Sequence, residues 1–281
     1  PDREARGRDV GLGQALGANG VFGAIGVAIG PMLAGLLIWA HSWQAAFFVP
    51  GAFSVEEMRD ITRWTEEVQN WEEVPGRHMA YYEDSVTKPA RRVLQRIENF
   101  VPYHEGFQSL FRDHRMQGAV EQLFGETPVL FKEKINFKLP GGDGFKPHQD
   151  QQAGWWNYAP IFITALVTID ETTLDNGCLE MAAGHHKKGM VGDAWTPLTD
   201  KDMADMKFVP YPSKPGDVMF FDSFAPHGSA LNKTDKPRRV LYITYNKASA
   251  GDHRVQYYAD KRKSFPPDIE RKPGETFKFR V

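Results

Sequence analysis

The stretch from Lys214 to Asn246, KPGDVMFFDSFAPHGSALNKTDKPRRVLYITYN, decides how this chain folds. Lys214-Pro215-Gly216-Asp217 is a turn signal, and it opens the apolar run Asp217–Phe221. His227 follows that run, the position expected for a residue at the end of a barrel strand. A second β-rich run, Arg239–Asn246, comes after a polar loop. Upstream, runs of the same texture occur at Val129–Leu139, Ile161–Ile169 and Cys178–Ala182. The turn signals Gly141-Gly142-Asp143-Gly144 and Asp175-Asn176-Gly177 separate them. Ahead of Thr127 the pattern is helical. Ser54 and Glu57 form a capping-box pattern, and Met58, Ile61, Trp64 and Val68 share one helical face. Lys88–Phe100 and Phe107–Phe124 read as two further helices. Helices first and strands after predict an α+β, mainly β protein, with helices flanking a β-sandwich or barrel.

The second informative stretch is Pro147-His148-Gln149-Asp150, just after the glycine-rich turn. His148 and Asp150 are two apart, so on an extended segment both side chains point the same way. His227 is the best third partner. Two histidines and a carboxylate make the facial triad of non-haem iron oxygenases and leave open positions for a cosubstrate and dioxygen. The tripeptide H-x-D alone is common by chance, so the context matters. Arg238 opens a β-run and would stand deep in a barrel, beyond the metal. A diacid that chelates iron through its 2-oxo acid end needs a partner for its far carboxylate, and a guanidinium offers a bidentate fork. Ser229 could add a hydroxyl donor. Arg239 faces the other way and is the rival for that role.

Composition sets wide bounds. Formal net charge is −2, from 34 Lys and Arg against 36 Asp and Glu, which gives no reason to expect a nucleic-acid partner. Hydrophobic residues make up 41% of the chain, enough for a sizeable core. The single cysteine, Cys178, excludes an internal disulfide and a cysteine-rich zinc site, and fits a reducing cytoplasm.

Residues 1–51 stand apart. No Asp, Glu, Lys or Arg occurs from Val10 to Val55, and Leu16–Ala40 is long enough to cross a bilayer. Gly13/Gly17 and Gly26/Gly30 give the small-residue spacing of packed membrane helices. RGRDVGLGQALGANGVFGAIGVAIGPMLAGLLIWAHSWQAAFFVPG resembles one helix of a major facilitator transporter with its flanking loops. A fusion artefact, a membrane anchor and a buried helical hairpin are the three readings of this apolar segment. The catalytic domain is expected over residues 52–281.

KPHQDQQAG, DNGCLEMAAGHHKKG and KPGDVMFFDSFAPHGSALNKTDKPRRVLYITYN occur in this order between about residues 128 and 250. Together they resemble the phytanoyl-CoA dioxygenase family. The resemblance implies a double-stranded β-helix, or jelly-roll, with flanking helices. It implies Fe(II) at His148, Asp150 and His227, with 2-oxoglutarate on Arg238 and Ser229 and dioxygen as co-reactant. It makes Cys178 a packing residue. One departure is Leu166, where some relatives carry a tryptophan in the cosubstrate wall.

The substrate is less legible. Gln149, Gln151 and Trp155 mix amides with an aromatic face, which suits a small polar or zwitterionic molecule. Lys134, Asn136 and Lys138 share one face of a strand and could meet an anion, although a solvated outer face is the plainer reading for these lysines. The family offers two precedents, 2-aminoethylphosphonate and long acyl-CoA thioesters. A hydrolase or isomerase using the same ligands and a non-catalytic binding module are the competing classes.

Overall fold

A computed structural model describes residues 48–88, 90–275 and 277. The apolar N-terminal segment lies outside the described residues. Among those described, no helix is long and apolar enough to cross a membrane.

In chain order the main elements are β1 (Phe48–Val49), α1 (Val55–Gln69), β2 (Met79–Asp84), β3 (Arg92–Glu98), α2 (Glu105–Phe111), α3 (Ala119–Phe124), β4 (Pro128–Asn136) and β5 (Phe145–His148). They continue with β6 (Phe162–Thr168), β7 (Leu179–Met181), β8 (Val209–Tyr211), β9 (Val218–Asp222), β10 (His227–Ser229), β11 (Val240–Lys247) and α4 (Arg254–Ser264). Two antiparallel sheets result, in the orders β1-β9-β6-β11-β4-β3-β2 and β5-β10-β7-β8.

Alternation along the central strands explains the layering. Ile163, Ala165 and Val167 of β6 join Phe220 and Ile243 against Ile61 and Val68 of α1 and Phe107 of α2. The intervening Leu166, with Met219, Phe221 and Tyr242, packs on Leu179 and Met181 of the smaller sheet. The large sheet is thus covered by helices on one face and by the small sheet on the other. Every residue of β6 and β9 is buried, which is why both read as unbroken apolar runs rather than alternating ones. This is the double-stranded β-helix that the motifs imply.

Helix α1 begins where the capping pattern puts it. Ser54 Oγ accepts from the Glu57 amide and Glu57 Oε2 accepts from the Ser54 amide. Ser54→Ala removes one of these bonds and should cost about 1 kcal/mol. Thermal unfolding should then fall by roughly 2–4 °C for a domain of this size, read by circular dichroism.

Three differences from the sequence reading matter. Lys88–Phe100 is not helical; it contains strand β3. Arg96 and Glu98 look like solvated helix positions, yet they are buried on the inner face of the sheet, with Arg96 Nε 2.7 Å from Glu98 Oε1. Phe107–Phe124 is helical but broken, because Asp113 caps a new π turn at His114–Gly118 between α2 and α3. Strand β1 lies ahead of residue 52 and pairs Phe48 with Met219.

Candidate metal centre

Strands β5 and β10 run antiparallel with His148 opposite His227, and the two rings stand 4.4 Å apart. Gln149 is extended, with φ −110° and ψ 135°, and Asp150 opens a short 3-10 turn. That conformation returns the Asp150 carboxylate to the side of His148. One ligand atom from each of His148, Asp150 and His227 lies within 4.8 Å of the other two. All three residues are buried.

The ring orientations are set by the backbone. His148 Nδ1 is 2.7 Å from the Lys146 carbonyl, and His227 Nδ1 is 2.9 Å from the Ala225 carbonyl. Each Nδ1 donates, so each Nε2 presents a lone pair inward, as metal-ligating histidines do. Burial, reinforced by His227, pushes His148 down to about 3, and burial lowers His227 as well. Both imidazoles are therefore neutral near pH 7. Burial works against the Asp150 charge, but His227, Lys134, His148 and Lys132 outweigh it and hold its carboxyl below the usual range. Two neutral imidazoles and one carboxylate are the donor set that suits a divalent iron with open positions.

Behind this cluster stands Arg238, 1% exposed. Its Nε and Nη1 find no hydrogen-bond partner among the described residues. A buried guanidinium left this way is costly unless an anion completes it. Burial raises the pKa of the Tyr242 hydroxyl, and Arg238 and Asn136 beside it work against that rise. Arg239 points out of the opposite face and is consumed by Asp170, with Nε and Nη2 each 2.8 Å from a carboxylate oxygen. Ser229 Oγ receives a 2.7 Å bond from Lys138, whose ammonium burial and Arg238 push down to about 7. Lys138 is thus fully buried rather than solvated.

A cavity of about 790 Å³ opens beside His148 and Asp150. Lys132 and Lys134 of β4, Trp155, and Arg96 and Glu98 of β3 line it, with Tyr257 and Lys261 of α4 across from them. Glu98 is clamped by Lys261 at 2.6 and 2.7 Å and by Arg96. Burial opposes its charge, yet Lys132, Lys261 and Arg96 hold it well below the usual carboxylate range. Lys132 lies 3.7 Å from the same carboxylate and 3.0 Å from the Tyr257 hydroxyl. Lys134 lies over the Tyr242 ring at 4.7 Å and is pushed down to about 8 by burial and by Lys132.

Of the residues expected to meet substrate, Lys134 and Trp155 line the cavity. Asn136 is buried beside Tyr242 instead, outside the cavity wall. Gln149 is spent on the protein, donating to the Gly189 and Phe224 carbonyls and accepting from the Val191 amide. It lies between two residues that face the centre and so points away from it. Gln151 donates to the Pro160 carbonyl and is also turned from the cavity. Arg96, Glu98, Tyr257 and Lys261 were not legible, since β3 reads as a helix and α4 carries only two buried residues, Tyr257 and Tyr258.

Residues 46–240 match the phytanoyl-CoA dioxygenase (PhyH) family. The chain belongs to this family. It is accordingly a dioxygenase dependent on iron and 2-oxoglutarate, acting on a small molecule. Among its relatives, a 2-aminoethylphosphonate dioxygenase from Uncultured bacterium HF130_AEPn_1 is 41% identical over 220 residues, covering 78% of this chain and 84% of the relative. A methylphosphonate hydroxylase from Gimesia maris is 36% identical over 242 residues, covering 84% and 90%. The fold is shared with EctD from S. alaskensis, solved with 2-oxoglutarate and 5-hydroxyectoine, at a TM-score of 0.60, 21% identity and 72% coverage of each chain.

Proposed function

We propose that this enzyme hydroxylates a small organophosphonate, with 2-aminoethylphosphonate as the leading substrate. The observation that carries the reading is the charge of the cavity wall. Arg96, Lys132, Lys134 and Lys261 face one cavity beside the metal centre, against the carboxylates of Glu98 and Asp150. The cations facing this cavity outnumber its carboxylates, and a phosphonate dianion answers that excess. The names of two relatives support the same class.

In this reading His148, Asp150 and His227 hold the iron, and Arg238 and Ser229 receive the far carboxylate of 2-oxoglutarate. Bound iron with 2-oxoglutarate and dioxygen supplies the oxidation: one oxygen atom enters succinate, released with CO2, and the other converts a substrate C–H into C–OH. The chain's own share is positioning. Lys134, beside Asp150, holds the phosphonate so that the neighbouring carbon faces the metal. No side chain has to act as a general base. Residues 52–281 carry the catalytic unit, and the cytoplasm suits it as the source of ferrous iron and 2-oxoglutarate.

The test is coupled turnover. Succinate formation should depend on 2-aminoethylphosphonate, with one hydroxylated product per succinate. Stimulation by a long-chain acyl-CoA and not by any phosphonate would overturn the assignment. Lys134→Met should raise the KM for phosphonate by about ten- to a hundredfold, the loss of one charge-assisted bond, with a smaller effect on 2-oxoglutarate.

A further inference from the structure

Trp195 stands in a backbone conformation that tryptophan rarely adopts, with φ +62°. A bulky residue there costs about 1–3 kcal/mol and persists only where its surroundings over-determine it. The surroundings do so. Gln152, fully buried in the turn that carries Asp150, sends its Nε2 to the Asp193 carbonyl at 2.8 Å and the Thr196 carbonyl at 2.7 Å. Those bonds bracket Trp195 on both sides. The Trp195 amide donates to the Gln152 carbonyl at 2.7 Å. Gly154, also at positive φ, supplies the seat, since a Cβ there would collide with the indole ring.

The result of this clamping is a side chain that lines the cavity while 43% exposed. It therefore stands where the cavity meets solvent. Its ring meets Trp156 edge-on at 6.1 Å. The same short segment that presents Asp150 thus also fixes an aromatic wall at the outer end of the cavity.

We infer that Trp195 is a specificity-determining residue, a cap that limits substrate length and shields the reacting carbon from bulk water; this rests on the oxygenase reading above. Substrate enters with its phosphonate toward Lys134, and the indole closes behind the opposite end. Strain stored at a cavity wall is the expected signature of such a clamp.

Trp195→Gly relieves the left-handed strain, so the variant should fold, while Trp195→Phe keeps an aromatic cap. Two quantities decide the matter. One is kcat/KM for 2-aminoethylphosphonate relative to an analogue with a bulky N-substituent. The other is 2-oxoglutarate turnover without substrate, with ascorbate as reductant. In Trp195→Gly the preference for the shorter compound should fall about tenfold or more, the discrimination a hydrophobic wall provides. Substrate-free turnover should rise. Trp195→Phe should stay near wild type in both. An unchanged preference together with unchanged substrate-free turnover would overturn the cap. If wild type processes no phosphonate at all, the substrate reading fails, and substrate-free turnover alone then decides whether Trp195 is a cap.

Discussion

Asp150→Ala protein, reconstituted anaerobically with ferrous iron, should retain essentially no iron after desalting and form no succinate. Even an outer partner of a metal ligand is worth about 10–100-fold in affinity or activity, so losing the carboxylate itself should exceed that range. The effect should be local. The His148 and His227 rings keep their bonds to the Lys146 and Ala225 carbonyls. Alanine gives up the attraction of Lys134 and Lys132 for the Asp150 carboxylate, a loss that the departing burial penalty offsets in part. Thermal unfolding of the metal-free variant should thus stay close to that of metal-free wild type. Iron content measured against a folded protein separates a lost ligand from a lost fold. Wild-type iron content in Asp150→Ala would sink the triad.

The second large effect separates two adjacent arginines. Arg238→Ala should raise the Kd for 2-oxoglutarate by about a hundredfold or more, since truncating one partner of a buried charge pair costs 2–5 kcal/mol. Arg239→Ala should leave that Kd nearly unchanged and lower stability instead. It breaks the bidentate pair with Asp170, which joins the start of β11 to the loop after β6. Titration of the iron-loaded protein with 2-oxoglutarate under anaerobic conditions reads the first effect, and thermal unfolding reads the second. The reverse ranking would mean that the guanidinium inside the sheets does not serve the cosubstrate.

The contrast between those neighbours shows what was legible in the sequence. Strand period alone says that Arg238 and Arg239 face opposite ways. It cannot say which way is in. The Asp170 fork on Arg239 decides that, and the pairing joins residues far apart in the chain. The triad was legible for a similar reason: H-x-D is local, and His227 follows an apolar run. The strands of the central sheet were legible because burial on both faces makes them apolar throughout. The far wall of the cavity was not. Arg96 and Lys261 both pair with Glu98 inside the protein, and a charged residue in sequence looks the same whether it faces water or another side chain. Gln149 failed in the other direction, since an amide between two candidate metal ligands looks like a substrate contact but anchors the Gly189–Val191 loop.

The small sheet is built from strands of three or four residues, and two of them carry His148 and His227 on facing positions. Ladders so short hold weakly by themselves. An ion held by His148 and His227, as proposed above, would therefore also rivet β5 to β10, and tightening the rivet and ordering the sheet would be one event. On that reading iron affinity is a property of the small sheet as much as of the ligands, and a change that loosens those strands should present itself as a loss of metal.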